Sequence, residues 1–246
     1  MTVAPAEEGM HTAVQLWTLR NLDVSTPALL DRVAAAGYDG VEFAGIEDPP
    51  ETARAMDEVG LVAAGAHVDA DELRADPAGV AAELDTLGVP SVVVPYLDPD
   101  HFIDTATVDE TAAMLDALAS EFDRPLLYHN HDHEFVPVGT ETAFDRLVAE
   151  TAVGFELDVG WAEAAGRDPA ALLSDLAGRA PVVHLKDVTA AGEPTELGEG
   201  VVDLPGVVKA ARDAGTEWLV FEHDDPADPM ASVENGIEVV ERVLEQ

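Results

Sequence analysis

Short apolar runs alternate with amphipathic segments along almost the whole chain, and this alternation limits the folds open to it. A short run of aliphatic residues bounded by turn signals reads as a buried parallel strand. An apolar pattern with helical period reads as the helix that carries the chain back. About eight such units fit into the 246 residues. Strands are predicted at 13–17, 40–43, 61–66, 91–94, 125–128, 153–157, 181–185 and 217–221. Helices are predicted at 26–36, 50–59, 107–122, 142–150, 169–176, 204–214 and 229–244, with one helical stretch running to Leu87. Gly37, Gly60, Gly88 and Gly215 stand where a left-handed helix cap needs glycine. Asp48, Asp168 and Asp228 precede prolines that suit the first helical position.

Eight βα units in this length predict an α/β chain closed as one (β/α)8 TIM barrel over residues 1–246, with 1–10 as a flexible extension. The rival is a doubly wound open sheet, which usually carries a glycine-rich phosphate turn after its first strand. Here that turn reads Trp17-Thr18-Leu19-Arg20-Asn21, without glycine. No apolar run approaches the roughly 18 residues of a membrane span. The first ten residues hold Glu7 and Glu8 and no Lys or Arg, unlike a secretory signal. A cytoplasmic protein is expected.

The charge balance is extreme, 50 Asp and Glu against 12 Lys and Arg. Disorder is one source of such a balance, but 47% apolar residues and clear periodicity argue for a folded chain. An acidic partner-binding surface is another. The preferred reading is a cytoplasm rich in salt, where screening over about 3 Å at 1 M makes self-repulsion tolerable. The chain has no cysteine, so disulfides, thiolate metal sites and a cysteine nucleophile are excluded. Any metal must be held by His, Asp, Glu or water.

In a barrel of this kind, polar residues at the carboxyl ends of strands face the site. Those residues are Gln15, Trp17, Glu42, His67, Tyr96, His129, His131, Asp158, Trp161, His184, Lys186, Glu222 and His223. The sharpest subset is His129, Asp158, His184 and Glu222, from four consecutive strands. Two imidazoles with two carboxylates suit Mn²⁺, Zn²⁺, Co²⁺ or Fe²⁺ better than a hard, all-oxygen site. The bland alternative is that the histidines simply hydrogen-bond in a polar barrel mouth. His184 and Lys186 share a strand face, and Lys186 is one of only two lysines. A lysine there holds an enediolate, alkoxide or carboxylate oxygen, or a phosphate. Three histidines crowd residues 129–133, and an adventitious chelating loop is the alternative reading there. Leu197-Gly198-Glu199-Gly200 is a weak phosphate signal, since Glu199 would repel the ligand.

Ordered short motifs carry a resemblance. They are Gly37-Tyr38-Asp39-Gly40-Val41-Glu42, Gly65-Ala66-His67, Tyr128-His129-Asn130-His131, Glu156-Leu157-Asp158-Val159-Gly160-Trp161, His184-Leu185-Lys186-Asp187, Leu197-Gly198-Glu199-Gly200 and Phe221-Glu222. Together they make the chain, from about Gln15 to its end, resemble the xylose isomerase-like sugar phosphate isomerase/epimerase superfamily. The resemblance implies a divalent metal, often Mn²⁺ with Zn²⁺, Co²⁺, Fe²⁺ or Mg²⁺ as alternatives, on residues ending strands five to eight. Asp158, His184 and Glu222 match three of those positions. The fourth is usually Glu in the epimerases, and His129 stands there instead. That removes one of the two metal-bound glutamates that move a proton on opposite substrate faces. Trp161 stands where many epimerases have His, and the Tyr-His-x-His segment looks more like the inosose dehydratase branch.

The function expected is metal-assisted isomerisation or epimerisation of a sugar or sugar phosphate beside its carbonyl, through an enediolate. Glu222 is the preferred base, and Lys186, His67 or His131 supply or receive a proton. Gln15, Trp17, Glu42, Tyr96 and Trp161 bind substrate, with Glu42 alternatively tuning a histidine. An inosose dehydratase-like lyase is the alternative. Two other classes are an endonuclease IV-like repair enzyme, disfavoured by so few basic residues, and a non-catalytic sugar-binding barrel. The partners expected are a small sugar or polyol, no nucleic acid, no membrane and, at most, further copies of the chain as a homo-oligomer.

Overall fold

The computed structural model describes residues 9–45 and 48–246. Eight parallel strands close on themselves: β1 (His11–Gln15), β2 (Gly40–Ala44), β3 (Val62–His67), β4 (Val92–Val94), β5 (Leu126–His129), β6 (Gly154–Asp158), β7 (Val182–Leu185) and β8 (Trp218–Phe221). Each strand pairs with its neighbours in sequence, and β8 pairs with β1, so the barrel has no open edge. The helices between and after them are α1 (Thr26–Ala36), α2 (Pro49–Val59), α3 (Ala70–Ala75), α4 (Pro77–Leu87), α5 (Thr105–Ala119), α6 (Ala143–Glu150), α7 (Val159–Ala164), α8 (Pro169–Asp175), α9 (Leu204–Ala214) and α10 (Pro229–Leu244). The fold is a TIM barrel, as the alternation predicts. Most of the extension expected at 1–10 lies outside the described residues.

Side chains alternate along each strand between two environments. Val14, Val92, Val94, Leu126, Tyr128 and Leu219 join the larger apolar cluster, together with helix residues such as Leu30, Leu84, Leu115 and Val240. This is the layer between strands and helices. Ala13, Ala64, Val93, Leu127, Val182, Trp218 and Val220 form a separate cluster, which fills the barrel interior. Two residues further along those inward faces the chain turns polar, at Gln15, His129, His184 and Glu222. The apolar plug therefore forms the floor of a polar site at the carboxyl end, where (β/α)8 barrels place their chemistry.

Local chemistry explains where the elements depart from the expected bounds. The first strand ends at Gln15 rather than Trp17, because the Gln15 side chain accepts from the Trp17 backbone N–H (3.1 Å) and starts a 3-10 turn over Leu16–Leu19. The helical stretch expected to run to Leu87 is two helices. Proline disfavours helical backbone at the residue before it, and Asp76 instead caps α4 by accepting from the Gly79 N–H (3.0 Å). Helix α7 was not expected. Asp158, at the end of β6, caps it by accepting from the Trp161 N–H (2.8 Å). The four predicted glycine caps all have positive φ, from 67° to 108°.

One buried carboxylate organises the long loop after β7. Asp187 accepts from the backbone N–H groups of Val188 (2.9 Å), Gly198 (3.0 Å), Gly200 (3.0 Å) and Val202 (3.1 Å). Gly198 has φ 86°, and a Cβ on Gly200 would collide with the Asp187 carboxylate and the Val188 carbonyl. Asp187→Ala would leave four backbone N–H groups without their acceptor, each costing about 1–3 kcal/mol. The predicted result is a fall in Tm on the order of 10 °C, with a smaller fall for Asp187→Asn, measured by scanning calorimetry. An unchanged Tm for Asp187→Ala would contradict this role.

Candidate active site

The strand register sets inward residues side by side. Gln15 is paired with Glu42, His129 with Glu156, and Asp158 with His184. The upper ring holds His129, Asp158, His184 and Glu222, all buried, with one ligand atom from each lying within 4.8 Å of the others. The quartet singled out in the sequence therefore converges.

Hydrogen bonds around this ring fix which ring nitrogens face inward. His129 Nδ1 lies 3.2 Å from the Pro95 carbonyl, which can only accept, so Nδ1 carries the proton. The other ring nitrogen, Nε2, is turned toward the ring of ligands. It faces Asp158 Oδ2 at 3.3 Å, and that oxygen also lies 3.0 Å from Lys186 Nζ. The buried His/Asp/Glu ring is consistent with a divalent metal site, and its donor set of two nitrogens and two oxygens suits a borderline metal.

A second polar layer lies beneath. His184 Nε2 donates to Glu42 Oε2 (2.6 Å) and lies 3.1 Å from Glu156 Oε2, while its Nδ1 faces Glu222 Oε2 at 3.1 Å. His67 Nε2 reaches Glu156 Oε2 (2.7 Å), and Gln15 Nε2 donates to Glu42 Oε2 (2.9 Å). Burial depresses the His184 pKa, but Glu156, Glu42 and Glu222 outweigh it and hold the ring well above the usual imidazole value. Burial is likewise outweighed at His67, whose pKa rises to about 10 beside Glu42 and Glu156. A divalent cation in place of the His184 Nδ1 proton would satisfy the same Glu222 carboxylate. Carboxylates behind metal-ligating imidazoles are the usual means of fixing their tautomer.

Lys186 is 1% exposed, and three carboxylate oxygens surround its Nζ: Asp158 at 3.0 Å, Glu222 at 2.9 Å and Asp224 at 2.7 Å. Its pKa rises, because these charges outweigh burial. Burial pushes the carboxyls of Asp158 and Glu222 up. Lys186 and His129 bring Asp158 down to about 2, and Lys186 and His184 hold Glu222 well below its ordinary value. Both carboxylates are ionised at neutral pH. His131 is pushed the other way, to about 2, by burial and by His129, and it is a neutral imidazole.

Above the rings opens a cavity of about 570 Å³, lined by Trp17, His67, Asp69, Glu72, Tyr96, His129, His131, Glu222 and Asp224 among others. Trp17 and Tyr96 are 46% and 44% exposed and stand at its mouth. Tyr96 meets His131 edge-on (5.0 Å between centroids), and His131 stacks on Trp161 (5.8 Å). Trp161 also lies under Lys186 Nζ, 4.7 Å from the ring centroid. Gln15 and Glu42 are fully buried one layer below the cavity, so their direct contacts are with His184, His67 and each other. His223 is also buried, and its backbone N–H donates to Thr18 Oγ1 (3.1 Å). Among the described residues, His131 and His133 join neither the ring of His129, Asp158, His184 and Glu222 nor the second cluster that could hold an ion, Glu42, His67, Glu156 and His184. His133 Nε2 donates to the Leu97 carbonyl (3.0 Å), and Glu134 accepts from the His131 N–H (2.8 Å), so this loop is built on Glu134 rather than on a metal.

Four contributors escaped sequence reasoning. Glu156 lies two residues before Asp158 on the same strand face, a spacing that could have revealed it. Asn130 brackets the Asp158 backbone, accepting from its N–H (2.9 Å) and donating to its carbonyl (3.2 Å). Asp224 sits beyond β8, and Glu134 in a loop; neither has a periodic signal.

Residues 30–243 match the family model described as "Xylose isomerase-like TIM barrel", and the chain belongs to that family. No curated protein matches it. Among solved structures, a sugar phosphate isomerase/epimerase from Parabacteroides distasonis is similar, with TM-score 0.80, 20% identity, and coverage of 97% of this chain and 96% of that one. The probable 3-DHS dehydratase AsbF of Bacillus anthracis superposes with TM-score 0.74 at 12% identity, covering 94% and 99%. A D-allulose 3-epimerase from Methylomonas sp. gives TM-score 0.69 at 13% identity, covering 96% and 98%. Among the described residues, no helix is long and apolar enough to cross a membrane.

The layered geometry makes a quantitative prediction about metal binding. After chelator stripping, the chain should take up one divalent ion, followed by calorimetric titration with Mn²⁺. Glu42→Gln should weaken that affinity by roughly ten- to a hundredfold without removing a ligand. An unchanged Kd would contradict the role assigned to the lower layer.

Proposed function

We propose that this chain is a divalent-metal-dependent isomerase or epimerase that abstracts a proton beside the carbonyl of a sugar or polyol. The observation that supports it best is the buried His₂-Asp-Glu ring at the cavity floor, one ligand atom from each of its four side chains lying within 4.8 Å of the others. His129, Asp158, His184 Nδ1 and Glu222 would hold the ion, with Mn²⁺ the preferred metal. When bound, such an ion supplies Lewis-acid charge beside the carbonyl and stabilises the developing enediolate.

The chain's own residues do the rest. Glu222 lines the cavity and is ionised, so it takes the proton from the carbon next to the carbonyl. Lys186 stays protonated and holds Asp158, Glu222 and Asp224 in place, supplying positive charge close to the developing oxyanion. His131, neutral on the cavity wall, accepts or returns a proton there. His67, kept as an imidazolium by the lower layer, donates toward a substrate oxygen. Trp17 and Tyr96 enclose the sugar's carbon skeleton, and Trp161 backs His131 and Lys186. Glu42 and Gln15 act through His184 and His67 rather than on the substrate.

Loss of water is the second reading, favoured by one observation. The cavity wall has a single ligand carboxylate, Glu222, and histidines where a second base would stand. Glu222 would start both reactions, and the His67 imidazolium would protonate a departing hydroxyl in the second.

Solvent exchange tests the shared step. The metal-loaded protein in D₂O should wash deuterium into the carbon beside the carbonyl of at least one ketose or keto-inositol. Glu222→Gln should slow that exchange by roughly 10²–10⁴-fold while substrate still binds. Exchange surviving in Glu222→Gln would remove this residue as the base. No exchange with any ketose or keto-inositol would overturn the proposal.

A further inference from the structure

We infer that the cavity accepts an uncharged keto-sugar or keto-polyol and rejects its phosphate esters. This rests on the proposed function and narrows its substrate class. In (β/α)8 barrels a phosphate commonly seats in the loops after strands seven and eight, on backbone N–H groups and helix N-termini. Here those positions are filled by the chain's own anions. The N–H groups of Gly198, Gly200 and Val202, after β7, converge on the buried Asp187 carboxylate. The helix that follows, α9, is capped by Asp203, and α10 after β8 is capped by Asp228.

Charge matching points the same way. Lys186 and a divalent ion together carry three positive charges, equal to the three carboxylates Asp158, Glu222 and Asp224 around Lys186 Nζ. That leaves Asp69 and Glu72 on the cavity wall, with no ion pair to either among the described residues. His67 on the cavity wall is paired with Glu42 and Glu156, and Arg20 lies near the mouth. It lies over the Trp17 ring (4.3 Å), and its terminal nitrogens donate to the carbonyls of Trp17 (2.8 Å) and Asp224 (2.5 Å). A phosphate dianion entering this cavity would meet Asp69 and Glu72 as like charge, while the N–H cluster of the loop after β7 is already committed to Asp187. A neutral sugar meets what it needs: exposed aromatic faces of Trp17 and Tyr96 for its C–H surfaces, and carboxylates that accept from its hydroxyls.

Calorimetric titration of the metal-loaded protein at about 0.1 M salt tests this, using D-fructose, D-tagatose and 2-keto-myo-inositol beside the monophosphates of the two hexoses. At least one free compound should bind, and each monophosphate should bind at least about tenfold more weakly than its parent. The Asp69→Asn, Glu72→Gln double variant should narrow that ratio severalfold. A monophosphate binding more tightly than its parent would overturn the inference while leaving the proton-abstraction chemistry standing. Free sugars that bind without exchanging a proton would do the reverse. Binding by none of the free compounds, or an unchanged ratio in the double variant, would also overturn it.

Discussion

The imidazole of His184 sits between carboxylates on both of its edges, and the polar interior is arranged around that contact. Nε2 is committed to Glu42 and Glu156 below, and Nδ1 looks up to Glu222. A fully buried ring in this position cannot rotate without leaving a carboxylate unpaired. Removing one partner of such a buried set is strongly destabilising. The ring therefore locks the level of β7 relative to β2, β6 and β8, and so fixes where the upper ring of ligands lies.

This arrangement places many ionisable groups away from water, which is costly unless each is paired. The barrel meets that demand in two layers above an apolar floor. Glycine makes room where side chains must pass. A Cβ on Gly65 would run into Glu42, and one on Gly160 would come within 2.8–3.1 Å of the Lys186 side-chain carbons. Both glycines belong to the short motifs that carry the family resemblance. Their role here is steric: they allow Glu42 and Lys186 to reach the polar layers with their chains extended.

The fold was legible because its signal is periodic and repeated. Buried parallel strands such as Val92–Val94 are apolar on both faces, and helices α1, α9 and α10 match their predicted bounds because caps and prolines mark their ends. The upper ring was legible too, since His129, Asp158, His184 and Glu222 are polar residues that end apolar runs. Depth was harder to read. Whether Gln15 and Glu42 touch a substrate or stand beneath it depends on strand stagger and on the bulge between Val41 and Glu42, and a single sequence encodes neither plainly. Trp17 and Tyr96 looked like strand ends, but local side-chain bonds and Pro95 end those strands early and leave both rings at the mouth. Asp224 and Asn130 act through long-range pairing with Lys186 and Asp158, which no local pattern announces.

The account stands on one cation shared by four side chains, with His184 turned so that Nδ1 faces it. Anomalous diffraction at the manganese edge from Mn²⁺-loaded crystals addresses this directly. One strong peak is predicted within coordination distance of His129 Nε2, Asp158, His184 Nδ1 and Glu222. A peak lodged instead among Glu42, His67 and Glu156, or none in the barrel at all, would contradict it.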